Sequence, residues 1–417
     1  MTDYPLSAVE VADAAKRLQG VAKETVLEHS ERLSKEVGVD VYLKREDLQL
    51  CRSFKVRGAY NKIASLTPEQ QKRGVVCASA GNHAQGVAYA CAALQIHGKI
   101  FLPSNTPRQK RDRIKTIGGK WIERVIVNGG FDQANELART YAETENLVFV
   151  PPYDDPLTIA GQGTIGVELS AQMPANTDTV VVPIGGGGLA AGIALWLKTH
   201  HPKIRVVGVE PAGAASAAAA RRAGKPVTIK VSDNFVDGTA VGRVGDTPFE
   251  FLNSLLDDVV IVPEGAVCSQ MLALYNAEGI IAEPAGALAA AAIHGYLPHQ
   301  PQGPVIGIVS GGNNDLSRYA EVQERSLLHE GLRHYFLVTF SQEPGALRRF
   351  LEDVLGHDQD IVHFEYTKKN NRDTGPALVG IDIVSPQDLA DLLKRIDDSP
   401  LHVEHISPDS EIFRLLV

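Results

Sequence analysis

Cysteine is scarce in this sequence. The 417 residues contain four cysteines, Cys51, Cys77, Cys91 and Cys268. They show neither the C-x-x-C spacing of many metal and redox sites nor the density of a disulfide-stapled secreted protein. We therefore expect four free thiols in a protein of a reducing compartment.

Long apolar runs are also missing. No segment reaches the roughly 20 consecutive apolar residues that are needed to span a bilayer. The N-terminal sequence MTDYPLSAVEVADAAKRL carries Asp3 and Glu10, and it lacks the basic start and apolar stretch of a secretory signal. These absences predict a cytoplasmic protein without a membrane partner.

A block of lysine and arginine is absent as well, and the net charge is -9. Proteins that bind nucleic acid or anionic membranes usually cluster their basic residues. We therefore exclude nucleic acid and expect a small molecule as the main partner. Hydrophobic residues make up 44% and charged residues 22% of the chain, which is ordinary globular usage, and its length predicts two or three domains.

Between about residues 41 and 320, short β-branched runs alternate with alanine-rich helical stretches. This alternation is typical of an α/β domain with a parallel sheet and crossover helices. The predicted strands are Val41–Lys44, Val75–Ser79, Lys99–Leu102, Trp121–Val125, Thr179–Ile184, Arg205–Val209 and Val305–Val309, and the predicted helices include His83–Leu94, Arg108–Ile117 and Phe131–Thr144. Ligands of such sheets bind at the carboxyl ends of strands, so a site is expected in the loops that follow them.

A separate unit is predicted after Asn314, where the charged helical stretch Ser317–His329 leads into a new strand. The residues that follow have the order strand, helix, strand, strand, helix, strand, which is the ferredoxin-like arrangement. The predicted elements are His334–Phe340, Pro344–Leu355, Ile361–Lys368, Ala377–Val384, Pro386–Ile396 and a last strand near His402–Ile406. The alanine-rich stretch Ala212–Ala223 is predicted to be a packed helix.

Lys55 stands at the predicted start of a helix whose apolar face includes Val56 and Ile63. A cation at a helix N-terminus meets the positive end of the macrodipole, which lowers its pKa and favours a free amine able to form a Schiff base. From this spacing alone, an ordinary surface lysine is the favoured interpretation.

Two glycine-containing turns follow predicted strands. The first, CASAGNHAQG (77–86), presents backbone N–H groups that suit a carboxylate, although a plain turn with an Asn N-cap has the same pattern. The second lies between TVVVPI and a predicted helix and consists of Gly185, Gly186, Gly187, Gly188 and Leu189. Because four glycines carry no side chains, the backbone can approach a phosphate closely at the helix N-terminus.

A fourth segment, Val309-Ser310-Gly311-Gly312-Asn313, ends the predicted strand VIGIV. Ser310 can donate or accept a hydrogen bond at the end of this strand. A serine at such a position is often only a turn residue.

In this order, the four segments resemble those of the fold-type II pyridoxal-phosphate enzymes, which have a tryptophan synthase beta-like fold, and within them the threonine dehydratases. The resemblance covers essentially the whole chain. It implies that Lys55 forms the Schiff base, that Phe54 packs against the pyridine ring and that Asn82 binds the ring hydroxyl. It also implies that Gly185–Leu189 hold the cofactor phosphate and that Ser310 is the partner of the pyridine nitrogen.

The resemblance further implies the reaction, which is dehydration and deamination of L-threonine to 2-oxobutanoate and ammonia, the first step of isoleucine biosynthesis. Lys55 would act as the general base once the substrate has displaced it. The substrate carboxylate would be held by the loop Ser79, Ala80, Gly81, Asn82 and His83.

Enzymes of the same family also catalyse related reactions, and some bind a metal. The related serine racemases carry a serine where this chain has Ala80, so racemisation is disfavoured. Some relatives bind a divalent cation near the position of Glu210, but the third ligand position is Ser216 here, and we predict no metal. A catabolic serine/threonine dehydratase, another fold-type II lyase and an inactive amino-acid sensor remain as alternatives.

The C-terminal segment resembles a single copy of the ACT-like regulatory domain of biosynthetic threonine dehydratases. We therefore expect a catalytic domain over residues 1–325, made of two α/β subdomains with the smaller one inserted at about 56–145, and an ACT-like domain over 332–417. Isoleucine is the expected allosteric inhibitor, in a homodimer or homotetramer, although the C-terminal domain could serve oligomerisation alone. The residues expected near the effector are Glu343, Pro344, Gly345, Ala346 and Leu347.

Overall fold

A computed structural model of the chain describes residues 4–366, 373–407, 410 and 413. By the density of their internal contacts the residues divide into two compact units, Met1–Asp315 and Leu316–Val417, which we call the first and second unit. Among the described residues, no helix is both long and apolar enough to cross a membrane. The four cysteines are buried free thiols.

The first unit alternates helices with strands. In chain order they are α1 (Ala8–Leu18), β1 (Leu27–His29), α2 (Glu31–Val37), β2 (Val41–Arg45), α3 (Lys55–Ala64), α4 (Pro68–Arg73), β3 (Val75–Ala78), α5 (Asn82–Leu94), β4 (Gly98–Pro103), α6 (Arg108–Gly118), β5 (Ile122–Val127), α7 (Phe131–Thr144), β6 (Val148–Phe149), α8 (Pro156–Gln172), β7 (Thr179–Pro183), α9 (Gly188–His200), β8 (Arg205–Pro211), α10 (Ser216–Ala223), α11 (Asp246–Leu255), β9 (Asp258–Val262), α12 (Glu264–Glu278), α13 (Pro284–Gly295) and β10 (Val305–Val309).

Within the described residues, these strands form a larger sheet in the order β1-β2-β10-β7-β8-β9 and a smaller one in the order β5-β4-β3-β6. All pairings are parallel except that of β1 with β2. The central strands β7 and β10 are buried along their whole length, as expected where helices cover both faces. The loops after β2, β7 and β10 therefore meet at one edge of the larger sheet.

The smaller sheet has apolar residues on both faces. One face packs on α5 through Val75, Cys77 and Ile100, and the other packs on α7 through Val76 and Phe101. The loops that carry Ser79–His83 and Pro151–Tyr153 leave the carboxyl ends of β3 and β6. They supply the second side of the cavity described below.

The second unit contains α14 (Tyr319–His329), β11 (Arg333–Ser341), α15 (Ala346–Asp353), β12 (Asp360–Tyr366), β13 (Thr374–Asp382), α16 (Asp388–Asp398) and β14 (His402–Ile406). Its described strands form an antiparallel sheet in the order β12-β13-β11-β14. The helices α15 and α16 pack on this sheet through a core that includes Phe336, Phe350 and Leu392. The ferredoxin-like order that the sequence predicts is confirmed.

The predicted elements differ from the structure mainly at their ends. The helix predicted over Pro344–Leu355 begins at Ala346, because Gly345 has a φ of 83° and cannot belong to a right-handed helix. The strand predicted from Ala377 begins at Thr374, since its ladder with β11 continues to the Thr374–Ser341 pair. The end of the strand predicted over Ile361–Lys368 lies outside the described residues, and the strands β1, β6 and β9 were not predicted.

The domain limits that the sequence suggests, at residues 325 and 332 and at about 56–145 for the smaller subdomain, stay predictions. The helix α14 belongs to the second compact unit, and the smaller sheet includes β6, just beyond the approximate limit of residue 145. The stretch Ala212–Ala223 forms a regular helix only from Ser216, where Ala217 and Ala220 are buried.

Candidate active site

Lys55 is the first residue of α3, and the chain entering this helix is fixed to the end of β10. The Phe54 backbone N–H donates to the Ser310 backbone oxygen at 3.1 Å. Ser53 and Gly311 form an isolated antiparallel bridge one residue further along. The segment that carries Lys55 and the segment that carries Ser310 therefore form one backbone unit, although about 250 residues separate them in sequence.

The Lys55 side chain reaches across the cavity between the two sheets. Its Nζ atom donates to the Pro152 backbone oxygen at 2.8 Å and lies 5.1 Å from the centre of the Phe54 ring. Burial lowers the pKa of the amine to about 8, and the nearby Glu283 opposes this effect. The helix-start position of Lys55 is confirmed, and burial is the largest cause of its lowered pKa.

Two glycines allow neighbouring helices to touch the first turn of α3. A Cβ atom at Gly161 of α8 would lie 2.6 Å from the Arg57 backbone oxygen, and one at Gly86 of α5 would lie 3.0 Å from the Lys55 backbone oxygen. A side chain at either glycine would push this turn away. The close contacts on both sides thus fix the position of Lys55.

Arg57, on the same turn, is 1% exposed and makes a complete set of hydrogen bonds. Its guanidinium contacts both carboxylate oxygens of Glu46 at 2.8 Å and donates to Glu168 at 2.6 Å and Thr164 at 3.1 Å. The fifth hydrogen goes to the Lys23 backbone oxygen at 3.2 Å. Because every N–H group is satisfied, this buried charge anchors α3 to the turn that follows β2 and to α8.

The loop Ser79–His83 leads from β3 into α5, which begins at Asn82 with Gly81 as its N-cap. The Gly81 N–H donates to Ser79 Oγ at 3.2 Å. His83 is buried, and since a carbonyl only accepts, its Nε2 must donate to the Val150 backbone oxygen at 2.8 Å. Burial, together with Lys55, lowers the pKa of His83 to about 3, so this imidazole is neutral at physiological pH.

Asn82 is not an N-cap, because its side chain leaves the helix and enters a polar network. Its Nδ2 donates to Glu283 Oε1 at 2.6 Å, and its Oδ1 accepts from Asn313 Nδ2 at 2.7 Å. Glu283 lies at the N-cap position of α13 and is 5% exposed. Burial raises the pKa of Glu283 to about 7.

The glycine loop connects β7 to α9 and lies against Tyr153. A Cβ atom at Gly186 would lie 2.1 Å from Tyr153 Cγ, and one at Gly187, where φ is 95°, would lie 2.8 Å from Leu252 Cδ1. Among the described residues, none accepts a hydrogen bond from the backbone N–H groups of Gly185–Gly188. Four free donors at the N-terminus of α9 suit a phosphate.

Ser310 lies directly after β10, is 3% exposed, and donates from Oγ to the Ala285 backbone oxygen at 3.1 Å. A hydroxyl has one hydrogen to donate and two lone pairs that accept. Ser310 can therefore serve a second partner as an acceptor, or as a donor after its hydrogen has rotated.

Lys55, the loop Ser79–His83, the glycine loop and Ser310 line one cavity of about 1100 Å³. Its walls include every residue that the sequence predicts for the cofactor and the substrate carboxylate, which are Phe54, Lys55, Ser79, Ala80, Gly81, Asn82, His83, Gly185, Gly186, Gly187, Gly188, Leu189 and Ser310. The structure brings these residues together, while their individual roles remain predictions.

Several residues of the cavity were missed in the sequence. Glu283 and Asn313 contact Asn82, and the segment Pro152–Tyr153 joins Lys55 to the glycine loop. Asn313 could have been found, since it directly follows the Ser310-Gly-Gly turn. Glu283 stands before Pro284 in a pattern typical of a helix start, which gives no sign of a role in the site.

The predicted absence of a metal concerns Glu210, which caps a helix. Its carboxylate accepts from the Ala217 and Ala218 backbone N–H groups at 2.7 and 2.8 Å. Among the described residues, no cluster of three or more His, Cys, Asp or Glu side chains has the geometry of a metal site.

The residues predicted near an effector lie in the second unit, where Glu343–Gly345 follow β11 and Ala346 and Leu347 begin α15. Glu343 and Leu347 are exposed there, and the Glu343 carboxylate lies 3.7 Å from the Arg349 guanidinium. Gly345, with its positive φ, lets the chain turn directly into α15.

The donor set of the cavity fits pyridoxal phosphate. The free N–H groups of the glycine loop match a phosphate, the amine of Lys55 matches an aldehyde, and the Asn82 amide and Ser310 hydroxyl match the ring hydroxyl and ring nitrogen. The residues that line the cavity thus offer a suitable group for the phosphate, the aldehyde, the ring hydroxyl and the ring nitrogen of the cofactor.

Known proteins are similar to this chain in sequence and in fold. Residues 18–311 match the family described as pyridoxal-phosphate dependent enzyme, and residues 324–416 match the C-terminal regulatory domain of threonine dehydratase. The biosynthetic L-threonine dehydratase IlvA of Mycobacterium leprae is 53% identical over 99% of this chain and 97% of its own. The corresponding protein of Bacillus subtilis is 46% identical over 98% of this chain and 96% of its own.

A solved structure agrees with these matches. The processed form of threonine deaminase isoform 2 from Solanum lycopersicum superposes with a TM-score of 0.72 and 38% identity, covering 76% of this chain and 92% of that chain. The chain therefore belongs to the pyridoxal-phosphate dependent enzymes and, within them, to the family of biosynthetic L-threonine dehydratases.

Proposed function

We propose that this chain binds pyridoxal phosphate through Lys55 and converts L-threonine to 2-oxobutanoate and ammonia, the first step of isoleucine biosynthesis. One observation carries the proposal: the Lys55 amine, with its lowered pKa, shares a cavity with a glycine loop whose four N–H groups are free. A lysine in that position can attack an aldehyde while the loop holds a phosphate.

Lys55 is proposed to act twice. As a free amine it forms the covalent bond to the cofactor, and after threonine has displaced it, Nζ takes the proton from the substrate Cα. The cofactor supplies, when bound, a conjugated system that accepts the electron pair left by that proton. Because burial lowers the pKa of Lys55 to about 8, a useful fraction of the amine is free at neutral pH.

The loop Ser79–His83 is proposed to bind the substrate carboxylate. Its backbone turns into the N-terminus of α5, where N–H groups favour an anion. His83 stays neutral and buried, so its contribution is to fix the loop through Val150. Binding of the carboxylate orients the Cα–H bond toward Lys55.

Ser310 and Asn82 are proposed to hold the cofactor ring. The neutral Ser310 hydroxyl would leave the ring nitrogen without a proton, and the cofactor would then favour prompt loss of the β-hydroxyl over transamination. The released enamine tautomerises and is hydrolysed, so the water lost in elimination is regained and ammonia leaves.

The second unit is proposed to make the enzyme responsive to isoleucine. Its match to the regulatory domain of threonine dehydratase supports a control function, and the exposed segment Glu343–Leu347 is the proposed effector region. We further infer a homodimer or homotetramer located in the cytoplasm.

The direct test is 2-oxoacid production by the purified holoenzyme from L-threonine and from L-serine, each with and without isoleucine. We expect threonine to be the better substrate and isoleucine to inhibit. A Lys55→Ala variant is the control and should give no product. Turnover of serine in preference to threonine would instead favour a catabolic serine/threonine dehydratase.

A further inference from the structure

A relay of hydrogen bonds beside the cavity begins at a backbone carbonyl and ends at Glu283. Asn313 Nδ2 donates to the Cys51 backbone oxygen at 2.8 Å and to Asn82 Oδ1 at 2.7 Å. Asn82 Nδ2 in turn donates to Glu283 Oε1 at 2.6 Å. The Asn313 backbone N–H favours the ionised form of Glu283 and so opposes the rise in the pKa that burial causes.

The relay fixes which way each amide faces. A backbone carbonyl can only accept, so the Asn313 atom nearest Cys51 must be Nδ2. That nitrogen has two hydrogens, and the second points to Asn82, whose facing atom must then be the acceptor Oδ1. The Cys51 carbonyl therefore sets the orientation of the Asn313 amide, and Asn313 sets that of the Asn82 amide. This holds whether or not Glu283 is ionised.

This orientation leaves Asn82 with a donor for the cavity. Of its two Nδ2 hydrogens, one is used by Glu283 and one remains for a ligand. If the amide were turned over, the same position would present Oδ1, an acceptor. An anionic oxygen on the cofactor ring requires the first arrangement.

We propose that Asn313, supported by Glu283, is a positioning residue that holds the Asn82 amide with an N–H group toward the ring hydroxyl of the cofactor. This inference rests on the proposed function, in which Asn82 binds that hydroxyl. Neither Asn313 nor Glu283 touches the reacting atoms in this account. Their contribution is to prevent the reversed orientation of the Asn82 amide, in which Oδ1 would face the cavity.

The test is an Asn313→Asp variant of the full chain, prepared as apo-protein and titrated with pyridoxal phosphate. A carboxylate at position 313 cannot donate to Cys51 or to Asn82, so the Asn82 amide turns to offer Nδ2 to it and presents Oδ1 to the cavity. We expect the cofactor dissociation constant to rise about tenfold or more, as loss of a hydrogen bond to a charged group implies. The visible absorption band of the bound cofactor should shift as well.

Asn314→Asp is the matched control, because it makes the same change one residue further along. Asn314 Nδ2 donates to the Ala282 backbone oxygen at 3.0 Å, outside the contacts that orient Asn82. Its cofactor affinity and absorption should equal those of the wild type.

The melting temperature of each apo-protein separates positioning from general structure. If Asn313→Asp does not fold, Asn313→Ala removes the same donors, and the same loss of cofactor affinity is expected. A position-313 variant with wild-type affinity and absorption would overturn the inference. Failure of the wild type itself to bind the cofactor through Lys55 would contradict the proposed function instead.

Discussion

The Nζ atom of Lys55 lies 2.8 Å from the backbone oxygen of Pro152, so the amine is held by the residue that precedes Tyr153. The Tyr153 ring packs on Gly186, and the Asp154 carboxylate accepts from the Thr247 N–H at 3.0 Å. Three consecutive residues therefore connect the lysine, the glycine loop and the start of α11. This segment sets the distance between Lys55 and the glycine loop.

The lowered pKa of Lys55 predicts how fast the apo-protein takes up its cofactor. The usual pKa of 10.5 falls to about 8 because of burial, so the free-amine fraction grows about tenfold per pH unit below pH 8 and little above it. The rate of pyridoxal phosphate incorporation, followed by absorbance from about pH 6 to about pH 10, should rise and then level off near pH 8. A rate that keeps rising to pH 10 would mean that the amine is not buried.

Gly186→Ala should disturb the packing of the glycine loop. The added Cβ would lie 2.1 Å from Tyr153 Cγ, so the aromatic ring or the loop must move. Overpacking of this kind costs about 1–3 kcal/mol, and we expect a lower melting temperature of the apo-protein together with weaker cofactor binding. Gly295→Ala is the control, because a Cβ there meets no atom within 4 Å. Equal behaviour of the two variants would contradict the close packing described here.

Arg57→Lys should destabilise the first unit although it keeps the charge. Lysine cannot replace the two-point contact with Glu46 while also reaching Glu168 and Thr164, so a buried carboxylate loses its partner. We expect a loss of about 3 kcal/mol in the free energy of unfolding, measured by urea denaturation. Arg348→Lys alters an exposed pair with Glu352 and should change stability very little.

The sequence predicts the positions of the main groups of the cavity because each belongs to a local pattern. Glycine runs and short polar turns at strand ends are visible in single segments, as with Gly185–Leu189 and Ser310. The ferredoxin-like order of the second unit also follows from local alternation. The predicted ends of elements were wrong where the backbone conformation of one residue determines the boundary. Gly345 is an example, since its positive φ means that α15 starts only at Ala346.

What the sequence could not predict depends on contacts between distant segments. Glu283 and Asn82 are 201 residues apart in sequence, and no local pattern predicts their hydrogen bond. The lowered pKa of Lys55 likewise comes mainly from burial among several segments, whereas its place at a helix start is a local property. Only the packed chain reveals such effects.

If the second unit carries the response to isoleucine, its removal should separate inhibition from turnover. It has its own apolar core, so a chain that ends at Asp315 should keep turnover of threonine and lose inhibition by isoleucine. In the full chain, Glu343→Ala should weaken inhibition without changing turnover. Glu352→Ala, another exposed acid of the same unit, is the control and should leave inhibition intact. Full sensitivity in the shortened chain would place the effector site in the first unit.

The identity of the anchoring lysine is the central claim, and reduction with borohydride followed by peptide mass spectrometry tests it most directly. The account predicts a pyridoxyl group on the peptide that contains Lys55, and none in a Lys55→Ala variant. Lys110 also lines the cavity and serves as an internal comparison. Labelling of Lys110 or of another lysine in the wild type, with Lys55 unmodified, would contradict the account.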